Sequence, residues 1–304
     1  KKRWWWCSQA ETISHGPVFS RYWNIISFRH QDKPVLQGRW IMASEQATDL
    51  KYDYLYFMKR ILLLLTLAVM QLTCYPQDTL RICPDLDLIR ISDNAFVHVS
   101  YAKLPGYGRV SANGLIFIDG DEAFLFDTPW NDSLTCILVS YLEEKMKLKI
   151  TGFIPNHWHD DCMGGLGCIK SKNIRSYANR LTLDIARSKG LPVPDVGFTD
   201  SLTLRLGDKM ICCWFPGPAH SMDNIVVWIP SGKILFPGCI CKSLDSNNLG
   251  NIADGDVTSY CETVERIIGR FDEAEIVIPG HGASGGRELL VHTRTLSNSQ
   301  QAEK

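Results

Sequence analysis

The chain lacks an excess of charge of either sign: 32 Lys and Arg against 33 Asp and Glu leave a formal net charge of −1 over 304 residues. Nucleic acids and anionic membranes select proteins with a basic face or tract, so no nucleic-acid partner is expected. The chain also lacks an apolar run of the roughly 20 residues that a membrane-spanning helix needs. Its longest, Ile61 to Leu72, is too short, and no stable membrane span is expected. Eleven cysteines are present, but regular CxxC pairs are missing, and the set does not read as a disulfide framework. Cys136, Cys168, Cys212, Cys213 and Cys261 lie among apolar residues and read as small buried hydrophobes; Cys83 and Cys241 have no assignment. Repeats, linkers and low-complexity tracts are missing after Asp78. With 45% hydrophobic and 21% charged residues, that part reads as one ordinary globular domain.

What is present is concentrated in one short run, His157-Trp158-His159-Asp160-Asp161. Positions i, i+2 and i+4 of an extended segment point the same way, so such a segment could present His157, His159 and Asp161 to one point. Neutral imidazole and carboxylate are ligands that Zn²⁺ accepts at about 2.0–2.2 Å. Three further segments carry a ligand-type residue beside a strand-like run. His220 lies in the Gly217-Pro218-Ala219-His220 turn before Ile225 to Ile229. Cys239 closes Phe236-Pro237-Gly238-Cys239, and His281 closes Ile276-Val277-Ile278-Pro279-Gly280-His281. Each is weak alone, since loops on a rigid scaffold carry function but also ordinary histidines.

Together these motifs resemble the metallo-β-lactamases, subclass B1, and within it the CcrA/CfiA-type zinc carbapenemases. The resemblance runs from about Asp93 to the C-terminus. It rests on Asn156-His-Trp-His, Asp161-Cys-Met-Gly-Gly-Leu-Gly, Ser176-Tyr-Ala-Asn, Gly190-Leu-Pro-Val-Pro, Phe198-Thr-Asp-Ser-Leu-Thr, Asp223-Asn-Ile-Val-Val-Trp-Ile-Pro, Leu249-Gly-Asn-Ile and Pro279-Gly-His-Gly. It implies two Zn²⁺ per chain: one on His157, His159 and His220, the other on Asp161, Cys239 and His281. It implies hydrolysis of the β-lactam amide bond of penicillins, cephalosporins and carbapenems by a metal-bound hydroxide, without a covalent acyl-enzyme, giving antibiotic resistance. No Ser-x-x-Lys accompanied by the serine-enzyme boxes is found, which argues against the serine route.

The resemblance also implies roles for further residues. Asp161 orients the nucleophile. Lys242 binds the substrate carboxylate, and Asn251 hydrogen-bonds the lactam carbonyl; a solvated lysine and a turn asparagine are the plain alternatives. Asp127 in Phe126-Asp-Thr-Pro is a buried carboxylate behind the ligands or a turn cap. Trp130 forms an apolar wall or simply core. Lys103 to Arg109, with Tyr107 at its tip, matches a mobile flap over the substrate or a plain hairpin loop. Cys162 follows a ligand, but the resemblance does not make it one. Asp160 and Pro237 depart from the pattern of close relatives without removing a ligand. His98 and His292 read as structural or surface histidines.

Alternatives remain. Another hydrolase of the same superfamily, such as a glyoxalase II-like thioesterase, carries His and a bridging Asp where this chain has Cys162 and Cys239. An inactive zinc-binding protein would keep the ligands without turnover. A flavin-partnered oxidoreductase finds no flavin-binding segment here.

The first ninety residues read differently. Met58-Lys59-Arg60 precedes the apolar run from Ile61, and a positive start followed by a short apolar core makes a signal peptide. Residues 58–77 are therefore expected to be a signal, 1–57 a translated upstream or non-native extension, and 78–304 the metallo-β-lactamase domain. Cys74 raises lipidation, but Gln71-Leu72-Thr73 is a poor signal for it. A periplasmic monomer is expected, with β-lactams as its small-molecule partners.

Alternation and turn signals predict strands at 95–101, 114–118, 123–126, 150–154, 202–206, 210–215, 225–229, 233–236 and 275–278. Turns are predicted at Asn113-Gly114 and Asp119-Gly120-Asp121. Helices are predicted at 132–147, 181–188, 257–271 and 287–296. Strands with interspersed helices indicate an α/β or α+β fold; the four-layer αββα sandwich is implied by the resemblance.

Overall fold

Strands that are buried on both faces read as near-continuous apolar runs, and Leu115-Ile-Phe117 and Ala123-Phe-Leu-Phe126 are such runs. In the computed structural model, which describes residues 55–62 and 79–302, they lie in the middle of a six-stranded sheet. The chain divides into two units, Lys1–Tyr75 and Pro76–Lys304. Of the first, residues 55–62 are described, as a short helix with largely exposed side chains. Most of the expected signal and of the upstream extension lies outside the described residues.

The first sheet has the order β1 (Thr79–Cys83), β2 (Leu86–Ser92), β3 (Ala95–Leu104), β4 (Gly108–Asp119), β5 (Glu122–Phe126), β6 (Lys149–Ile154), all antiparallel except the β5–β6 pair. The second has the order β13 (Ile276–Pro279), β12 (Ile234–Gly238), β11 (Val226–Ile229), β10 (Lys209–Trp214), β9 (Ser201–Leu206), with β12–β13 parallel. A parallel pair, β7 (Tyr177–Asn179) and β8 (Val196–Phe198), stands apart. The helices are α1 (Asp132–Glu144), α2 (Asp160–Met163), α3 (Leu166–Ser171), α4 (Arg180–Lys189), α5 (Val257–Arg270) and α6 (Glu288–Ala302).

Period-2 geometry sorts the strand side chains into three cores, one between the sheets and one on the outer face of each. Val97, Leu115, Phe117, Phe124 and Phe126 meet Ile211, Cys213, Val227, Ile229 and Phe236 between the two sheets. The alternate residues Ile116, Ala123 and Leu125 face outward against Leu138, Val139 and Leu142 of α1 and Leu166 and Ile169 of α3. On the far side, Val226, Leu235 and Val277 pack on Tyr260, Val264 and Ile267 of α5 and Leu289 and Leu290 of α6. The layers are therefore helix, sheet, sheet, helix, the αββα sandwich that the resemblance implies.

Three expectations need correction. Asn113-Gly114 is not a turn but the middle of β4. The tertiary contacts override the turn propensity: Asn113 Nδ2 donates to the carbonyls of Pro279 and Gly282, both at 2.8 Å. A Cβ on Gly114 would stand 2.0 Å from His98 Nε2, so only glycine admits that buried ring. Of the two readings of His98, structural or surface, the buried ring is the structural one. Cys136 and Cys168 are not isolated small hydrophobes; they form a disulfide joining α1 to α3, with Cα atoms 5.7 Å apart. Nothing in spacing pairs cysteines 32 positions apart, and here the helix contact does, fastened by the Asp132 carboxylate accepting the Cys168 N–H at 2.7 Å. Cys212 and Cys261 are partly exposed rather than buried.

Candidate metal centre

Strand ends deliver the ligand-type residues. His157 and His159 follow β6, His220 follows β10, Cys239 follows β12 and His281 follows β13. Asparagines pin these loops, because a buried loop must satisfy its backbone groups. Asn156 Nδ2 donates to the Ile225 carbonyl at 2.6 Å, and Ile225 N donates back to the Asn156 carbonyl at 2.9 Å. Asn224 accepts from Ser221 N at 3.0 Å and donates to the Gly217 carbonyl at 2.8 Å, closing the His220 turn. Beneath it, buried Asp223 accepts from Ser221 Oγ at 2.8 Å and Thr182 Oγ1 at 2.7 Å. Asn113 holds the His281 loop.

His157 to Asp161 does not run as an extended strand. The chain bends through His159, which has β-region angles at the N-cap, and turns into α2 at Asp160. Asp160 and Asp161 occupy the first turn, where acidic side chains complement the helix dipole. A helical turn, not period-2 alternation, therefore brings the Asp161 carboxylate back toward His157, with Oδ1 3.7 Å from Nε2.

One ring nitrogen from each of His157, His159 and His220 lies within 4.8 Å of the others. The rings meet edge to face, with centroids 4.6, 4.7 and 5.4 Å apart. His157 Nε2 and His159 Nδ1 face each other at 2.9 Å. Burial pushes His157 down to about 3 and His220 well below the usual range, which favours the neutral imidazole, the form that binds a cation. Three converging imidazoles are a zinc donor set.

A second set sits beside the first. Asp161 Oδ2 is 3.3 Å from Cys239 Sγ and 3.2 Å from His281 Nε2, and Sγ and Nε2 are 3.4 Å apart. A Cβ on Gly280 would lie 2.3 Å from Cys239 Sγ, so glycine is what lets the His281 loop close on the sulfur. The hydrogen bond from the Cys162 thiol, against the cost of burial, brings Cys239 down to about 6. Burial opposes an ionised Asp161, but the His281 hydrogen bond and the neighbouring imidazoles hold it well below the carboxylate range. A carboxylate, a thiolate and an imidazole at one point also suit Zn²⁺.

Around the two sets, Lys242 is buried and its Nζ donates to the Cys239 carbonyl at 2.7 Å; it is not a solvated surface lysine. Asn251 is exposed, and its Oδ1 accepts from Ala253 N at 3.1 Å in an Asx turn. Trp130 stands at the edge of the site, its ring 6.5 Å from that of His281 and its Nε1 donating to the Ser100 carbonyl at 3.2 Å. Asp127 is buried with φ of 59°, a left-handed conformation, and its Oδ1 accepts from Asn156 N at 2.5 Å. Tyr107 sits at the tip of the β3–β4 hairpin, 75% exposed, between Gly106 and Gly108 at positive φ. No hydrogen bond or ring contact joins it to the histidines among the described residues.

Sequence reasoning missed the groups behind the rings. His159 Nε2 is 3.0 Å from Asp254 Oδ2, His281 Nδ1 is 2.5 Å from the Ser111 carbonyl, and His157 Nδ1 is 3.2 Å from Cys162 Sγ. Asp254 stands 95 positions from its histidine; its one visible signal is an acid in the Asn251 loop.

No protein-family model matches the chain. Among curated proteins, it is 43% identical over 241 residues to a metallo-β-lactamase type 2 of Bacteroides fragilis, covering 79% of this chain and 96% of that one. It is 35% identical over 212 residues to a metallo-β-lactamase type 2 of Bacillus cereus, covering 69% and 82%. Among solved structures, the DIM-1 metallo-β-lactamase exposed to ceftazidime superposes with a TM-score of 0.69 at 36% identity, covering 71% of this chain and 98% of that one. A metallo-β-lactamase from Pontibacter korlensis superposes with a TM-score of 0.68 at 35% identity, covering 71% and 100%.

Proposed function

The chain belongs to the metallo-β-lactamases, subclass B1, and we propose that it is a zinc-dependent hydrolase of the β-lactam amide bond, acting on penicillins, cephalosporins and carbapenems and so giving antibiotic resistance. The observation that carries this reading is the pair of adjoining donor sets, His157/His159/His220 and Asp161/Cys239/His281, tied together by Asp161. Two zinc ions per chain fit them, one to each set. Bound there, zinc supplies Lewis acidity, which polarises a carbonyl and lowers the pKa of water from 15.7 to about 7.

The chain's own residues then do the rest. Asp161 presents a carboxylate to both sets and orients the attacking water. Lys242 has three ammonium donors, of which the Cys239 carbonyl takes one, leaving two for the substrate carboxylate. Asn251 uses its Oδ1 in the Asx turn, which leaves Nδ2 to hydrogen-bond the lactam carbonyl oxygen as charge develops. Trp130 and Tyr107 supply apolar walls, Tyr107 from the hairpin over the substrate. Asp127 holds the backbone N–H of Asn156, next to the first ligand. No side-chain nucleophile and no covalent acyl-enzyme is required.

Residues 58–77 act in this reading as an export signal that follows the 1–57 extension, and residues 78–304 work in the periplasm as a monomer. The Cys136–Cys168 disulfide supports export, since such bonds persist in oxidising compartments. Among the described residues no helix is long and apolar enough to cross a membrane.

The test is imipenem hydrolysis by the chain from Asp78 onward, with EDTA and with zinc restored. Zinc-dependent turnover is expected. Intact imipenem with cleaved nitrocefin would remove carbapenems from the substrate range. Neither cleaved by a folded, zinc-loaded sample would leave the thioesterase alternative or an inactive zinc protein. Cys239→Ser should weaken the second site and cut turnover at least tenfold; unchanged turnover and zinc content would remove Cys239 from the mechanism.

A further inference from the structure

Antiparallel pairing lines up side chains on the outer face of the second sheet. Thr203 of β9 stands opposite Cys212 of β10, which stands opposite Trp228 of β11. One row on, Ser201 stands opposite Trp214. Directly paired residues share a face, and Ile211 and Cys213, the alternate residues of β10, turn into the core between the sheets. Helix α5 covers this outer face over Val226, Leu235 and Val277 and ends at Arg270. Past the helix the face is open. Ser201, Thr203 and Arg205 are exposed there, and Cys212, Trp214 and Trp228 are half-buried.

The end of the helix and the open strands enclose a cavity of about 480 Å³, lined by Ser201, Thr203, Cys212, Trp214, Trp228 and Arg270. That volume lies within the range of small-molecule sites. Phe271, itself buried, packs against both indoles, its ring centroid 5.9 Å from that of Trp214 and 5.6 Å from that of Trp228, so the apolar wall is held in place. The guanidinium carbon of Arg270 lies 4.6 Å from the Trp214 ring centroid. A guanidinium stacked on a ring keeps its N–H edge available for a planar acceptor. Among the described residues, Arg270 has no ion-pair partner, and the Ser201 and Thr203 hydroxyls have no hydrogen-bond partner. None of these residues belongs to either donor set.

We propose that this cavity binds a small planar aromatic carboxylate, its ring against the indoles of Trp214 and Trp228 and its carboxylate on Arg270. The unpaired cation selects an anion, and a carboxylate matches its fork with two parallel hydrogen bonds. The two half-buried indoles select a flat apolar body over an inorganic ion. A sugar acid would need more polar side chains than the two hydroxyls present. The proposal makes no use of zinc, so it stands or falls apart from the function proposed above.

The experiment is alkylation of Cys212 by iodoacetamide in the zinc-loaded full chain, followed by peptide mass spectrometry, with 2-naphthoate as the probe. The probe should slow the reaction, with half-protection at about 1 mM, ordinary for a ligand of its size. Cys83 and Cys261, partly exposed elsewhere, should react at unchanged rates. 2-Naphthamide, which lacks the charge, should protect at least about tenfold more weakly, and Arg270→Gln should remove that difference. An unprotected Cys212 at about 10 mM probe, equal protection by acid and amide in the unsubstituted protein, or equal slowing of all three cysteines would overturn the proposal. Naphthoate held only by the zinc ions leaves Cys212 unprotected and gives the first of these results. If Cys212 alkylates too slowly to follow, the indole N–H resonances of Trp214 and Trp228 decide: both should shift with naphthoate and less with the amide, and unmoved resonances would sink the site.

Discussion

Asp254 and Cys162 stand behind adjacent imidazoles, and their chemistry differs more than that of the rings they serve. A carboxylate at 3.0 Å from His159 polarises the ring and fixes its tautomer. Asp254→Asn keeps the shape and removes the charge. It is expected to weaken zinc binding about 10- to 100-fold, measured by chelator competition; an unchanged affinity would show that Asp254 merely closes its loop. Gly280→Ala tests a different point. Its Cβ would lie 2.3 Å from Cys239 Sγ and 2.6 Å from Cys239 N, and main chain cannot yield as a flexible side chain does. The variant should lose second-site zinc while the three-histidine set keeps its metal; two zinc ions bound with ordinary affinity would contradict that.

Among the elements, the β7–β8 pair is tied at its start by one acid. Asp195 accepts from Ser176 N at 3.0 Å and Ser176 Oγ at 2.7 Å, and pairs with Lys170 of α3 at 2.7 Å. Burial pushes its carboxyl up, but Lys170 and Ser176 outweigh that and hold it near 2. A depressed carboxyl stabilises the fold fully above its unfolded value of about 3.9, and that contribution disappears as pH falls toward 2. The side chain is 40% exposed, so solvent screening keeps the contribution under about 1 kcal/mol. Asp195→Asn should lower Tm by about 1–3 °C at pH 7, and the gap should close between about pH 4 and pH 2; a gap that persists at pH 2 would point to packing instead.

The sheets and the long helices were legible because their apolar periods are long, and the observed ends of those elements differ from expectation by a few residues. The short elements were not. β7, β8, α2 and α3 are three to six residues long, too short to show a period, and β1 and β2 alternate over only a few positions each. Asn113-Gly114 carries a strong turn signal, yet its amide serves the His281 loop and its missing Cβ serves His98, so it became strand. The six ligand-type residues were legible as types beside strand ends. Their grouping into two sets came from the motif resemblance and not from spacing, because it depends on a helical turn at Asp160 and on loops joined across two sheets.

For the molecule as a whole, a ligand that binds the folded state alone stabilises it by mass action. Zinc at 100 times its dissociation constant should add about 2.7 kcal/mol, or roughly 5–10 °C in Tm for a domain of this size. Thermal unfolding with EDTA against added zinc measures it; coincident curves would mean that the donor sets bind no zinc in the folded chain.

By itself the sequence determined the alternating strands, the amphipathic helices, the chemical types of the donors and, through motif resemblance, the family. Each of these is local or additive along the chain. Tertiary structure alone decided which group stands behind each imidazole, that Cys136 meets Cys168, and that Asp161 reaches both donor sets. These are contacts between residues far apart in sequence or across a bend, and a hydrogen bond or disulfide depends on distances of a few ångströms that no spacing along a chain specifies.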